Sequence, residues 1–219
     1  MEQLLYENPM ATTEDVKDFT LEGAARISFE NGRMRMQNTL SPTEGQKANF
    51  VHWCDKIFPD NIRITWEFRP IEEPGLSMLF FAAKGRNGED IFHESLNRRE
   101  GEYQQYNSGD INAFHVSYFR RKELIEREFH VCNLRKSYGA HLVMQGADPI
   151  PDVPDCKASY KLTVIKKPDL VRFYVDDLLC FTFHDDGETY GDHLTGGRIG
   201  FRQLAPMIGE YWNLKVYAV

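Results

Sequence analysis

Residues 62–69 read IRITWEFR, a strict alternation in which Ile62, Ile64, Trp66 and Phe68 share one side and Arg63, Thr65, Glu67 and Arg69 the other. A chain whose side chains repeat every second residue is a half-buried strand, because a helix would scatter the same residues around its axis. Pro59 and Pro70 bracket the run and predict its ends. Similar short alternations recur as YKLTVIK, LVRFYV, LLCFTFH, RIGFRQ and YWNLKVYA over the last third of the chain. ARISF and MRMQN flank Asn31-Gly32, the residue pair that suits a two-residue hairpin turn because both central positions need positive φ. GLSMLFFAA, at 75–83, is continuously apolar, as a central strand covered on both faces would be. FVHWC, at 50–54, places Val51 and Trp53 on one face and Phe50, His52 and Cys54 on the other. About eleven such strands without a convincing long helix predict an all-β, two-sheet antiparallel sandwich, with residues 1–219 as one domain.

The polar content of the middle is unusual. Strand-like runs at 111–121 and 129–136 carry Asn112, His115, Tyr118, Arg120, Arg121, Asn133, Arg135 and Lys136 among their apolar residues. Burying such groups without partners costs roughly 2–7 kcal/mol each, so a strand that only fills a core does not carry them. Between 118 and 138, six basic residues face three acidic ones, inside a chain of net charge −7. The acidic total argues against nucleic-acid binding, which needs a basic footprint. The local excess of cations points to a small anionic ligand. Arginine grips a carboxylate through two parallel hydrogen bonds, asparagine shares its charge, and histidine or tyrosine can move a proton beside it. An acidic oligosaccharide fits that set. Parity limits the choice: His115, Ser117 and Arg121 share one face, and Asn112, Tyr118 and Arg120 the other. With Phe114 and Val116 in the core, His115 and Arg121 line a groove beside Asn133 and Arg135.

The long polar connection 84–109 is a groove wall or lid in this reading, since long loops inside compact domains are usually functional or disordered. Its Asp90, Tyr103 and Tyr106 join Trp53, Arg121, Asn133 and Arg135 as ligand-binding candidates, and His115 and Tyr118 are the candidate catalytic residues. A jelly-roll glycanase would need two carboxyls about 5–5.5 Å apart, commonly in an ExDxxE run, and none is present. There is no GxSxG elbow and no CxxC pair. The seven histidines form no metal motif, so no cofactor is predicted; a structural calcium is compatible with such folds, but no sequence feature specifies one. The N-terminal stretch has neither the basic nor the apolar region of an export signal, no run approaches about 18 apolar residues, and four widely spaced cysteines read as free thiols. A cytoplasmic protein without a membrane partner is the expectation.

The segments YKLTVIK…VRFYVDDLLCFTF and GGRIGFR…YWNLKVYAV resemble the closing strands of concanavalin-A-like jelly rolls. FPDNIRITWEF, PGLSMLFFAAKG, GED, SGDINAFHVSYFRRK, CNLRKS, GADPIP and GFRQLAPM together resemble the YesU-like family of bacterial proteins of unknown function. That resemblance implies a galectin-like jelly roll of two curved antiparallel sheets, and genes for using pectin-type polysaccharides such as rhamnogalacturonan as its setting. It implies no catalytic assignment. Three functions follow: a binder of acidic oligosaccharides, a lyase or other glycan-active enzyme such as a hydrolase working on uronate-containing oligosaccharides in the same groove through His or Tyr with Arg and Asn, and a non-catalytic assembly protein.

Overall fold

The computed structural model describes residues 2–219. Its strands are β1 (Gln3–Asn8), β2 (Thr20–Gly23), β3 (Ala25–Glu30), β4 (Arg33–Asn38), β5 (Phe50–Phe58), β6 (Ile62–Glu72), β7 (Leu76–Gly85) and β8 (Ile111–Tyr118). They continue as β9 (Val131–Lys136), β10 (His141–Ala147), β11 (Tyr160–Lys167), β12 (Leu170–Val175), β13 (Leu178–His184), β14 (Gly197–Leu204) and β15 (Ile208–Ala218). Two short helices, α1 (Gln104–Asn107) and α2 (Leu124–Glu128), lie in connections. One sheet runs β13-β12-β11-β6-β15-β4-β3, with β1 added against β15, and the other β10-β9-β8-β7-β14-β5-β2. The paired strands are antiparallel throughout, as in the two-sheet jelly roll the alternations predict.

The alternation at 62–69 sets the middle of the core. Ile64, Trp66 and Phe68 are fully buried and meet Leu79, Phe81, Phe114 and Val116 from the facing sheet. Trp66 stacks near Phe173 and donates from Nε1 to the Tyr118 hydroxyl at 3.1 Å. Pro70 does not end this strand, which continues to Glu72. Its β11 neighbour pairs only as far as Phe68, so the missing N–H of Pro70 falls where one side of β6 is free. The β3–β4 hairpin turns at Asn31 and Gly32, whose φ angles of 52° and 71° suit the sharp turn. Ile27 pairs with Met36 and Phe29 with Met34, bringing both methionines fully inside.

A second apolar cluster positions the site. Val51, Trp53, Phe80 and Ala113 lie on the outer face of the seven-stranded sheet, the face turned away from its partner sheet. Ile91 and Tyr106, from the connection between β7 and β8, close over them, with Leu96 packed alongside. That connection is therefore a fixed wall. Arg99 bridges it to β2 through Glu22, 2.7 Å away and buried, and Arg198 of β14 holds Asp90 at 2.7 Å.

Candidate functional site

The part of this outer face left uncovered is a pocket of about 300 Å³ spanning β9, β8, β7 and β14. Alternation decides what reaches it. In β8, Phe114, Val116 and Tyr118 belong to the core, so His115 and Ser117 face the pocket. In β9, Leu134 points inward, leaving Asn133 and Arg135 outside. Register sets His115 opposite Arg135 and Ser117 opposite Asn133. Met78 of β7 and Arg202 of β14, paired directly, complete the floor. Tyr103, at the start of the α1 turn, leans over it, and its hydroxyl lies 3.0 Å from His115 Nε2.

Electrostatically the pocket is cationic. Arg120, Arg135 and Arg202 line it, and no Asp or Glu among the described residues does. Arg120 is partly neutralised by Glu126 at 2.5 Å. Arg135 and Arg202 have no carboxylate partner among the described residues. The half-buried Arg135 donates from Nη1 to the Ala140 carbonyl at 2.7 Å, which orients its guanidinium. Arg202 lies fully buried beneath, donating to the Gly101 carbonyl at 2.7 Å and flanked by the rings of Tyr103 and Tyr106. Its Nε has no partner, and neither does Nδ1 of the buried His115. The Asn133 amide lies 2.9 Å from Gln145 and 2.7 Å from the Arg120 guanidinium.

Burial, with Arg135 and Arg202 adding to it, pushes the His115 pKa down to about 3. Burial raises that of Tyr103 against the pull of the same arginines. At neutral pH the pair is thus an uncharged imidazole and an intact phenol. A proton-transfer catalyst works best with a pKa near the operating pH, and neither group has one. The pocket thus joins a cationic lining to a neutral imidazole–phenol pair.

The candidates named from sequence divide. His115, Asn133, Arg135 and Tyr103 come together here. Tyr118 does not: it is fully buried between the sheets, its hydroxyl accepting from Trp66. Trp53 and Tyr106 lie fully buried in the outer apolar cluster, with centroids 6.4 Å apart; Trp53 Nε1 donates to Glu22 and the Tyr106 hydroxyl accepts from Gly101 N–H. Asp90 anchors the wall to Arg198 and accepts from the Phe92 amide. Arg121 is also removed from the pocket. Strand β8 ends at Tyr118, and Phe119 takes a φ of 46°, which breaks the alternation and sends Arg120, not Arg121, to the pocket. Arg121 instead turns inward to Asp148 at 3.0 Å and to Asp152. Arg202 and Gln46 also line the pocket and escaped the sequence reading; Arg202 sits in RIGFRQ, which reads as an ordinary alternating strand.

A larger depression of about 720 Å³ lies between β2 and the wall, but its buried charges, Glu22 and Arg99, satisfy each other. Among the described residues no group of His, Cys, Asp and Glu is arranged to hold a metal, and no helix is long and apolar enough to cross a membrane. All four cysteines are free.

The chain is 49% identical over 213 residues to the uncharacterized protein YesU of Bacillus subtilis (strain 168), covering 97% of this chain and 94% of that one. A crystal structure of a protein of unknown function with a galectin-like fold, from Bacillus subtilis, superimposes with a TM-score of 0.95 at 48% identity, over 99% of this chain and 96% of that one. The carbohydrate recognition domain of Emp46p, in its potassium-bound form, shares the fold at a TM-score of 0.63 and 16% identity, over 97% of this chain and 96% of that one. A family model described as "Domain of unknown function (DUF1961)" matches residues 3–216, and the chain belongs to that family.

Proposed function

We propose that the protein binds the end of an acidic oligosaccharide of the pectin type, with a uronate carboxylate held at Arg135 over the buried charge of Arg202. The observation that carries this is a 300 Å³ pocket lined by three arginines and no acid. An uncompensated guanidinium beneath a pocket is costly unless an anion completes it. Tyr103, Ser117 and Asn133 supply the neutral hydrogen-bonding groups that sugar hydroxyls require. The likeness to a carbohydrate recognition domain agrees with this ligand class while resting on fold alone. Trp53, Phe80 and Tyr106 fill the adjoining stretch of the sheet face, so the pocket is blocked on that side. A through-running chain has no path there, and a terminal sugar does.

The Tyr103–His115 hydrogen bond beside the arginines favours one alternative, a lyase that abstracts the proton next to the bound carboxylate. Calorimetry with trigalacturonate, read beside ultraviolet absorbance, separates the two. A binder gives a saturable isotherm and no unsaturated product. Arg135→Lys then weakens binding by about 1–3 kcal/mol, the range for a hydrogen bond to a charged group, because lysine lacks the planar fork. Product that appears with the parent and vanishes in His115→Asn establishes the lyase; unchanged affinity in Arg135→Lys removes the carboxylate contact.

A further inference from the structure

A cavity of about 580 Å³ opens where the β9–β10 turn and the 185–196 connection meet the end of β7 and the start of β8. It is separate from the arginine pocket: Asn112 and Lys136 of its lining have the opposite parity to His115 and Arg135, which face the outer pocket. Beneath it Lys136 and Asp185 are buried and paired at 2.8 Å, so their charges are spent on each other. Above them the lining is unsatisfied. Ser137 is only 2% exposed, yet its hydroxyl has no hydrogen-bond partner, and the buried Oδ1 of Asn112 has none either. Native structures rarely leave such atoms empty-handed, and when they do a ligand or ordered water is the usual explanation.

Two cations stand at the same cavity without an ion-pair partner, beside Asp192, the one carboxylate of its lining among the described residues. Lys84, opposite Asn112 in the β7–β8 ladder, and Arg86 form no ion pair among the described residues. Arg86 rests on the ring of Tyr138 at 4.3 Å, and Tyr138 is 47% exposed. A second ring, Tyr190, packs against His141 at 5.3 Å. The exposed Tyr138 and half-buried Tyr190 rings offer flat apolar area, buried Ser and Asn oxygens take hydroxyl protons, and free cations take a carboxylate.

We infer that this cavity is a second ligand site, for a sugar unit that carries an anionic group. Sugar hydroxyls donate to Asn112 Oδ1 and exchange hydrogen bonds with Ser137 Oγ, while the anionic group lies between Lys84 and Arg86. The site stands on its own residues and does not require the arginine pocket to work as proposed above.

The test is an amide-resolved NMR titration of the full chain with D-galacturonate, run beside D-galactose and inorganic phosphate, in the parent and in Arg135→Ala. The expected result is saturable shifts in residues 84–88, 137–141 and 189–195, larger for galacturonate than for either comparison compound and retained in Arg135→Ala. Arg86→Ala, at an exposed position, weakens them about tenfold, the effect of losing one charged hydrogen bond. Ser137→Ala, which removes only the hydroxyl, weakens them as well. The inference is overturned if galacturonate gives no saturable shift in these segments, if phosphate alone reproduces the shifts, or if Arg86→Ala and Ser137→Ala both bind as the parent does.

Discussion

Arg121→Met distinguishes a structural arginine from a ligand-binding one. The Arg121 side chain is fully buried and makes two ion pairs, with Asp148 at 3.0 Å and with Asp152. It also donates to the Arg120 carbonyl at 2.9 Å and the Ile150 carbonyl at 2.6 Å. Methionine retains most of the aliphatic volume but leaves the fully buried Asp148 carboxylate without its cation. Removing one partner of a buried pair costs about 3–5 kcal/mol, because the remaining charge is uncompensated. Asp152 is 30% exposed and hydrates when released, so its share is small. Urea denaturation, with Cm and m fitted for each variant, measures the loss, and adding Asp148→Leu recovers part of it by removing the stranded charge. Sugar affinity, measured on the folded variant, stays at the parent's value. A loss below about 1 kcal/mol together with abolished binding refutes the reasoning, since 3–5 kcal/mol is required of a buried pair and Arg121 would then have to face the ligand.

Trp66→Ala costs about 3–5 kcal/mol in the same denaturation assay, the range for emptying a fully buried aromatic site; a smaller loss contradicts the packing of β6 against Tyr118 and Phe201. Acid sensitivity follows from two buried histidines, His52, whose pKa burial pushes down to about 4, and His115, held at about 3. Below about 6.5, the ordinary histidine value, the unfolded chain takes up protons that the folded one refuses, so stability is complete above that pH and falls as the pH drops toward the folded values. The slope approaches about 1.4 kcal/mol per pH unit for each histidine; Cm measured from pH 7 to pH 5 shows it, His52→Gln removes about half of the histidine contribution, and a flat profile refutes the assignment.

Much of the fold is written in alternation, because burial of one face of a strand leaves a period of two that no other element imitates. The β3–β4 hairpin, β6 and the strands of the last third show it directly, and β7, buried on both faces, reads instead as an unbroken apolar run. Strands β1, β2 and β10 do not, and their burial explains why: β1 is mostly exposed and β10 has no fully buried position, so neither shows an apolar stripe. The pocket was legible where parity decides it, at His115, Asn133 and Arg135. It was illegible where a backbone turn resets parity. A single residue with positive φ, Phe119, exchanges the roles of Arg120 and Arg121. The α1 turn likewise separates two tyrosines three residues apart, Tyr103 over the pocket and Tyr106 into the apolar cluster. Arg202 was hidden for another reason: whether an arginine in an alternating strand meets solvent or lies under a loop depends on where a distant connection folds.

In the proposed binding mode a terminal carboxylate is held at Arg135 in a pocket blocked on one side. Calorimetry on a galacturonate series of increasing length, with carboxyl-reduced counterparts and with Arg135→Leu, tests it most directly. Affinity is expected to level off once the terminal unit and its neighbour are present. Reducing the terminal carboxyl is expected to weaken binding by about 1–3 kcal/mol, and Arg135→Leu to remove the difference between acidic and reduced ligands. Affinity that keeps rising with chain length, or that is equal for the acidic and reduced series in the parent, contradicts this binding mode.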